Sequence, residues 1–384
     1  PIPADRARLF KEKPPGQAMA TDAHRAVWRE VFEQPIKGGP TTRGFDHYFG
    51  TDVPNWPPFC FMEDDQTVGI PSEFLPANLL GRNQASNQGP AREGWTLEPI
   101  LPALADRASK FIIESAKSQK PFLLYLPLTS PHTPLAVNDP WEGKSGLGAY
   151  ADLVMETDAA IGQVLEAIES SGVTENTLVI FTSDNGCAPY IGVPEMEKNG
   201  HFPSGPLRGY KSDAWEGGHR VPFIVRWPGV VQAGRVSNQL VHQADLMATI
   251  ADVLERELPA DAGEDSFSML PLLRGVDKPI REHAVSCASS GVPALRDGQW
   301  KYIAGPGSGG WGKGGDQSQP VQLYDLASDI DESKNLAEAE PVRLSAMQAL
   351  LEQIIRRGRS RDLEGDEPSN AKNDVRVKRY PTGK

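Results

Sequence analysis

Two short apolar runs in this chain end on polar groups of the kinds that do chemistry. Pro121-Phe-Leu-Leu-Tyr-Leu-Pro127 leads into Thr129-Ser130-Pro131-His132-Thr133-Pro134, and Thr177-Leu-Val-Ile-Phe181 leads into Thr182-Ser183-Asp184-Asn185-Gly186. Asp184 and Asn185 offer a carboxylate and an amide oxygen, hard donors suited to Ca²⁺ or Mg²⁺. A zinc site would ask for histidine nitrogen or cysteine sulfur instead. The same Asp-Asn-Gly is a strong turn signal, and a turn alone would account for it. His132 has the chemistry of a proton donor or an anion contact near neutral pH, or of a structural ring held by its own loop. Lys211 sits in Leu207-Arg-Gly-Tyr-Lys-Ser-Asp-Ala-Trp-Glu-Gly-Gly-His-Arg-Val-Pro222. There it is either a compact cation for a tetrahedral anion or a solvated surface lysine. Asp213, Glu216 and Arg220 read as an internal ion-pair set holding that loop.

The elements that would carry these groups follow from periodicity. Residues 21–32 read as a capped amphipathic helix, and 99–117, 149–170, 246–254 and 342–357 as further helices. The runs at 121–128, 177–181 and 221–226 read as short buried strands. Helices alternating with wholly apolar strands predict an α/β fold, a mostly parallel sheet with helices on both faces. In such a sheet ligands bind beyond the carboxyl ends of the strands, which is where His132 and Asp184 fall. Beyond about residue 278 the pattern changes. Strands at 284–288, 299–303 and 321–325 followed by one helix predict a small C-terminal α+β subdomain with an antiparallel sheet. The expected organisation is therefore 1–277, 278–360 and a polar tail at 361–384.

Composition limits the function. The chain has 384 residues, 39 Lys+Arg against 51 Asp+Glu and a net charge of −12, which argues against a broad nucleic-acid or anionic-membrane surface. No apolar stretch approaches the roughly 20 residues that span a bilayer. Three cysteines cannot build a disulfide framework. With 37 glycines and 34 prolines, much of the chain is turn and long loop. The irregular stretch 35–90 and the loop Gly305-Pro-Gly-Ser-Gly-Gly-Trp-Gly-Lys-Gly-Gly315 are expected to shape a pocket, with Trp311 either stacking on a ring of the substrate or packed under its loop.

Taken together, these segments resemble the formylglycine-dependent sulfatases of the alkaline-phosphatase superfamily. The resemblance rests on Phe122-Leu-Leu-Tyr-Leu-Pro-Leu-Thr-Ser-Pro-His-Thr-Pro-Leu135, on Phe181-Thr-Ser-Asp-Asn-Gly186, and on Leu207-Arg-Gly-Tyr-Lys211 with Trp215-Glu-Gly-Gly-His-Arg-Val-Pro-Phe223. Arg43-Gly-Phe-Asp-His-Tyr-Phe-Gly50, Leu323-Tyr-Asp-Leu326 and Asn335-Leu336 also fit, in the family's order. The resemblance implies an arylsulfatase-like sulfuric ester hydrolase with one Ca²⁺ per chain, Asp184 and Asn185 being two of its ligands. It implies that Lys211 and His132 contact the sulfate ester and stabilise charge as the S–O bond breaks. His132 is the more plausible donor to the leaving oxygen. A sulfated small molecule or carbohydrate as substrate, a formylglycine-generating maturation enzyme as partner, and a periplasmic or extracellular location follow from the same likeness.

The family's nucleophile is a formylglycine made from Cys or Ser in a Cys/Ser-x-Pro-x-Arg motif, preceded by two aspartates and followed by Gly-Lys-Trp-His. None of these stands before residue 40. The resemblance thus implies a chain truncated at its amino end, without its nucleophile, that hydrolyses sulfate esters poorly or not at all. Cys187-Ala-Pro189 lacks the arginine, since position 191 is Ile. Ser204-Gly-Pro-Leu-Arg208 matches the minimal pattern but runs into the glycines around Lys211, where a helix is poor, and reads as a chance match. Two other readings remain. One is a metal-dependent phosphatase or phosphodiesterase of the same superfamily, which would pair the aspartate with histidine in a zinc site. The other is a non-catalytic sulfated-glycan binding protein.

Overall fold

The structure, a computed structural model, describes residues 18–361. Residues 1–17 and the polar tail from 362 onward lie outside the described residues. The chain divides into two compact units, Pro1–Thr174 and Glu175–Lys384.

In the first unit, helix α1 (Asp22–Phe32) starts where Thr21 and His24 satisfy each other's backbone N–H groups, a capping box with a histidine in the third position. Its inward residue Trp28 is fully buried and meets Phe74 edge-on, ring centroids 4.9 Å apart. The proline-rich stretch that follows forms very short strands: β1 (Phe49–Gly50), β2 (Met62–Glu63) and β3 (Gln66–Thr67) in one antiparallel sheet, β4 (Glu73–Phe74) paired with β5 (Pro90–Ala91). It also supplies core. Phe59, Leu75, Ala85 and Ala91 pack with Trp95, Leu97, Ile100 and Leu104 at the start of helix α2 (Ile100–Ser118). That helix lies against α3 (Ala149–Ser170), both within a residue of the boundaries the periodicity predicts.

The second unit opens with β6 (Val179–Thr182), which pairs antiparallel with β7 (Phe223–Arg226), Thr182 opposite Phe223. Between them lie α4 (Val193–Lys198) and the single turn α5 (Glu216–His219). Helices α6 (Asp245–Val253) and α7 (Leu270–Leu273) follow. An antiparallel sheet then runs in the spatial order β11 (Gln322–Asp325), β10 (Trp300–Ile303), β9 (Pro293–Asp297), β8 (His283–Cys287). Both faces are covered. Met347, Leu351 and Ile354, one stripe of helix α8 (Pro341–Arg357), pack on Leu295, Tyr302 and Leu323, each buried apolar side chain contributing about 1.5–3 kcal/mol. On the other face Ala294, Ile303 and Tyr324 pack on Ala214 and Trp215. The expected C-terminal α+β arrangement is present, with β9 an additional strand.

The mostly parallel sheet is not seen. Every ladder between strands of the described residues is antiparallel, and residues 121–128 form no strand and join none. Nor are the apolar runs buried on both faces: Leu123 is 61% exposed, Tyr125 70% and Ile224 60%. An apolar β-branched run dictates an extended backbone. The direction of its neighbour is set by pairing between distant segments, on which local pattern is silent.

Candidate active site

The turn Ser183-Asp184-Asn185-Gly186 leaves the carboxyl end of β6 as the pattern predicts. Ser183 Oγ donates to the Asn185 carbonyl (3.1 Å), and the Gln243 side-chain amide donates to the Ser183 carbonyl. At Gly186 the chain passes against the α5 turn. Its N–H donates to the Gly218 carbonyl at 3.0 Å, and a Cβ there would lie 1.9 Å from the Gly217 carbonyl oxygen, so only glycine fits. One residue later the Cys187 carbonyl accepts the Lys211 N–H at 2.8 Å. Asp184, Asn185 and Lys211 are thus carried on one hydrogen-bonded backbone assembly. The residue after Lys211, Ser212, has φ +80°, a strained left-handed conformation whose carbonyl takes the Ser289 N–H at 2.9 Å.

The Asp184 carboxylate, the Asn185 amide and the Lys211 ammonium make no hydrogen bond or ion pair among the described residues. Polar groups on so constrained a backbone, left unpartnered by the protein, are available to a ligand. Asp184 and Asn185 suit a hard cation by donor type and would offer two of the six to eight oxygens that Ca²⁺ takes. No group of three or more His, Cys, Asp and Glu that could hold a metal occurs among the described residues.

The frame around Lys211 is ionic, and more extensive than Asp213, Glu216 and Arg220. Glu216 meets Arg220 at 3.4 Å, but its strongest partner is the buried Lys301 ammonium of β10, at 2.9 Å. Lys301 also lies 2.9 Å from the carboxylate of the fully buried Glu332, which accepts the Glu216 N–H at 2.6 Å. Burial works against the ionised Glu216, yet the charges of Lys301 and His219 outweigh it and hold the carboxyl at about 2. Burial raises Glu332 despite Lys301. His219, 3.2 Å from Lys301, is pushed down to about 4 by burial and by that ammonium. Asp213 departs from expectation. Among the described residues it pairs with no cation; its Oδ2 accepts the Tyr210 N–H (2.9 Å) and its Oδ1 the Gly312 N–H (2.8 Å). Lys301 and Glu332 escape a motif-based reading, although a lysine inside the run Trp300-Lys-Tyr-Ile303 is itself the signal of a buried partner.

His132 lies in the first unit. Its Nδ1 is 2.7 Å from the Thr133 carbonyl and 3.2 Å from Thr133 Oγ1, and Thr133 is held in turn by Asn55 at 3.3 Å. With Nδ1–H given to that carbonyl, Nε2 is the nitrogen left for a ligand. His132 lines a small depression with Leu97, Glu98, Leu101, Ser130 and Leu153, and the buried Ser130 Oγ there has no partner among the described residues. Ser204 begins no helix. Its hydroxyl donates to the Gly209 carbonyl at 3.1 Å and so serves the Lys211 loop.

Comparison with known proteins agrees with the motifs. Residues 36–255, more than half of the chain, match the family model described as Sulfatase. The chain belongs to the sulfatase family. It is 34% identical over 333 residues to an N-acetylgalactosamine-6-O-sulfatase of Bacteroides thetaiotaomicron, covering 82% of this chain and 62% of that relative. Over 204 residues it is 40% identical to the steryl-sulfatase of Rattus norvegicus, covering 53% of this chain and 34% of that one. Among solved structures, a Bacteroides thetaiotaomicron protein designated 6S-sulf, described under the metabolism of multiple glycosaminoglycans, superposes with a TM-score of 0.73 at 30% identity, over 84% of this chain and 75% of that chain. Ps i-CgsB, with a TM-score of 0.63 at 23% identity over 83% of this chain and 68% of that one, shares the fold. The sulfatase chain thus spans less than two thirds of the curated relatives it matches.

Proposed function

We propose that this chain is part of a sulfuric ester hydrolase that cleaves the sulfate ester of a carbohydrate with Ca²⁺ and a formylglycine nucleophile, and that the residues of this chain supply cation and sulfate contacts rather than the nucleophile. The observation that carries the reading is the trio Asp184, Asn185 and Lys211, unpartnered on a backbone locked by the Gly186–Gly218 and Cys187–Lys211 hydrogen bonds. The sugar sulfatases among the relatives support a carbohydrate as the alcohol.

Asp184 and Asn185 would hold a hard cation, which would supply Lewis-acid polarisation of the sulfate group. Lys211 contributes a fixed ammonium to the charge that builds on the sulfate oxygens as the S–O bond lengthens. Ser212 and Asp213 hold the turn, so that charge is in place before the reaction begins. For His132 the role of proton donor to the leaving oxygen rests on the family resemblance, with Nε2 as the donating atom. Asn185, where a zinc phosphatase would have histidine, supports one hard cation over the phosphatase reading.

Calorimetric titration of the 384-residue chain with Ca²⁺ and then with a sulfated sugar tests this. Asp184→Ala is expected to weaken Ca²⁺ at least about tenfold, the effect of losing one charged ligand. Lys211→Ala is expected to weaken the sulfated sugar and leave Ca²⁺ unchanged. Stoichiometric zinc with a preference for phosphate esters would overturn the reading.

A further inference from the structure

The loop Gly305–Gly315 does not hang free beside Lys211; it is bolted to the turn that carries it. Asp213, two residues after Lys211, takes the Gly312 N–H, and the Ala214 N–H donates to the Ser308 carbonyl at 2.8 Å. Ser308 Oγ donates to the Gly312 carbonyl at 3.0 Å, closing the loop on itself. At Gly312 a Cβ would lie 2.2 Å from Asp213 Oδ2, so the approach of the loop to the carboxylate requires glycine there.

This anchoring displays one side chain. Trp311, next to the anchored Gly312, is half exposed, so it is not packed under its loop. Its ring lies 6.0 Å from that of Tyr190, tilted 48°. Tyr190 is three residues beyond Cys187, whose carbonyl holds the Lys211 N–H. Two aromatic residues on separate loops of the second unit are therefore each tied by a short hydrogen-bonded path to the Lys211 backbone. By those paths Trp311 is joined to Lys211 through Gly312, Asp213 and Ser212 alone, a reach compatible with one hexose and its ester group.

A single exposed tryptophan needs no explanation by itself. This one sits on a loop rigidified by a buried carboxylate, beside a second aromatic ring. We propose that Trp311, backed by Tyr190, is the platform on which the ring of a sulfated sugar stacks while Lys211 holds its sulfate; the proposal rests on the sulfate-ester reading of Lys211. The open indole face suits a pyranose, which presents C–H groups to the aromatic ring and leaves its hydroxyls in water. A flat aryl or steryl group would instead call for an enclosed apolar slot. Trp311 thereby determines which alcohol is accepted, separately from the group that recognises the sulfate.

The test is titration calorimetry of the whole chain in Ca²⁺ buffer with three probes: a 6-O-sulfated N-acetylhexosamine, inorganic sulfate and an aryl sulfate. Trp311→Ala is expected to weaken the sulfated sugar roughly tenfold and inorganic sulfate, which has no ring, by less than about twofold. Trp311→Phe should restore the sugar to within about threefold, and Tyr190→Ala should show a smaller loss than Trp311→Ala. Unchanged sugar affinity in Trp311→Ala, with Lys211→Ala still losing it, overturns the platform and leaves the sulfate-ester reading standing. An aryl sulfate that binds more tightly than the sugar, and loses as much in Trp311→Ala, overturns the carbohydrate assignment. A wild-type chain that binds none of the three overturns both readings.

Discussion

Lys301→Met is the substitution that most directly tests how the site is held. The ammonium is 1% exposed and lies 2.9 Å from the carboxylates of both Glu216 and Glu332, themselves buried. Methionine fills nearly the same volume, so the cavity term is small and the charge term dominates. Without the cation, two carboxylates share one buried region. Glu216 keeps Arg220 at 3.4 Å and Arg296 at 4.0 Å, whereas the Glu332 carboxylate keeps the Glu216 N–H. Breaking a buried pair by removing one partner costs about 3–5 kcal/mol. A loss of this size lowers the melting temperature of a unit this large by on the order of 10 °C.

The pH dependence carries the sign. In the wild type Glu216 is depressed, so its stabilisation is present above pH 4.5 and is lost as pH falls towards about 2. In Lys301→Met the buried carboxylates are raised instead, so their penalty is felt at high pH and is relieved as pH falls through their folded values. The stability difference between the two proteins, read by thermal melting followed by circular dichroism, therefore shrinks as pH is lowered from 8 towards 4. The double variant Lys301→Met/Glu332→Gln should recover part of the loss by neutralising the carboxylate left with least support. A loss below about 1 kcal/mol at pH 7, or a difference that widens on acidification, would refute the buried-triad account.

Three further expectations follow from the geometry. Gly186→Ala places a methyl against the Gly217 carbonyl; it should abolish Ca²⁺ and sulfate-ester binding together while the far-ultraviolet circular dichroism remains that of a folded chain. His219 is depressed to about 4, so the wild type takes up a proton on unfolding and loses stability as pH falls from about 6.5 to 4; His219→Gln should flatten that part of the melting-temperature profile. Cys60, buried and pushed up to about 12 chiefly by burial, should resist a thiol reagent at pH 8 in the folded chain, while the exposed Cys287 reacts first, as mass mapping of the labelled peptides would show.

Much of the framework could be read in the residues. Helices α1, α2, α3, α6 and α8 start and stop within a residue or two of their periodic patterns, because an amphipathic stripe and its caps are local properties. Family membership was equally legible, since short motifs in a fixed order survive where overall identity is low. The sheet was not. The run Phe122–Leu128 has the composition of a buried strand, yet its residues alternate between exposed and half-buried and make no ladder with the described strands. Composition specifies an extended backbone, while partner and direction come from segments far away in the chain.

The candidate site shows the same division at the scale of single side chains. Asp184, Asn185 and Lys211 could be singled out as candidates because a ligand group has to be of a definite chemical type. The groups that hold them are not, because a buried lysine, a glutamate on a loop 31 residues downstream and a carboxylate capping two amide groups carry no motif. Asp213 makes the point. Its sequence neighbours suggest an ion pair, and its actual work is to accept one N–H from the Lys211 turn and one from the Trp311 loop. The carboxylate thereby couples Lys211, the proposed sulfate contact, to the loop that presents Trp311. Asn in its place would keep the shape but offer one acceptor where two are needed, leaving one of those amides unpartnered at a cost of about 1–3 kcal/mol. Where that amide belongs to Gly312, the loop loosens and ring selectivity weakens before sulfate affinity does; such an order of loss follows only if the two recognition tasks sit on separate loops joined at this one side chain.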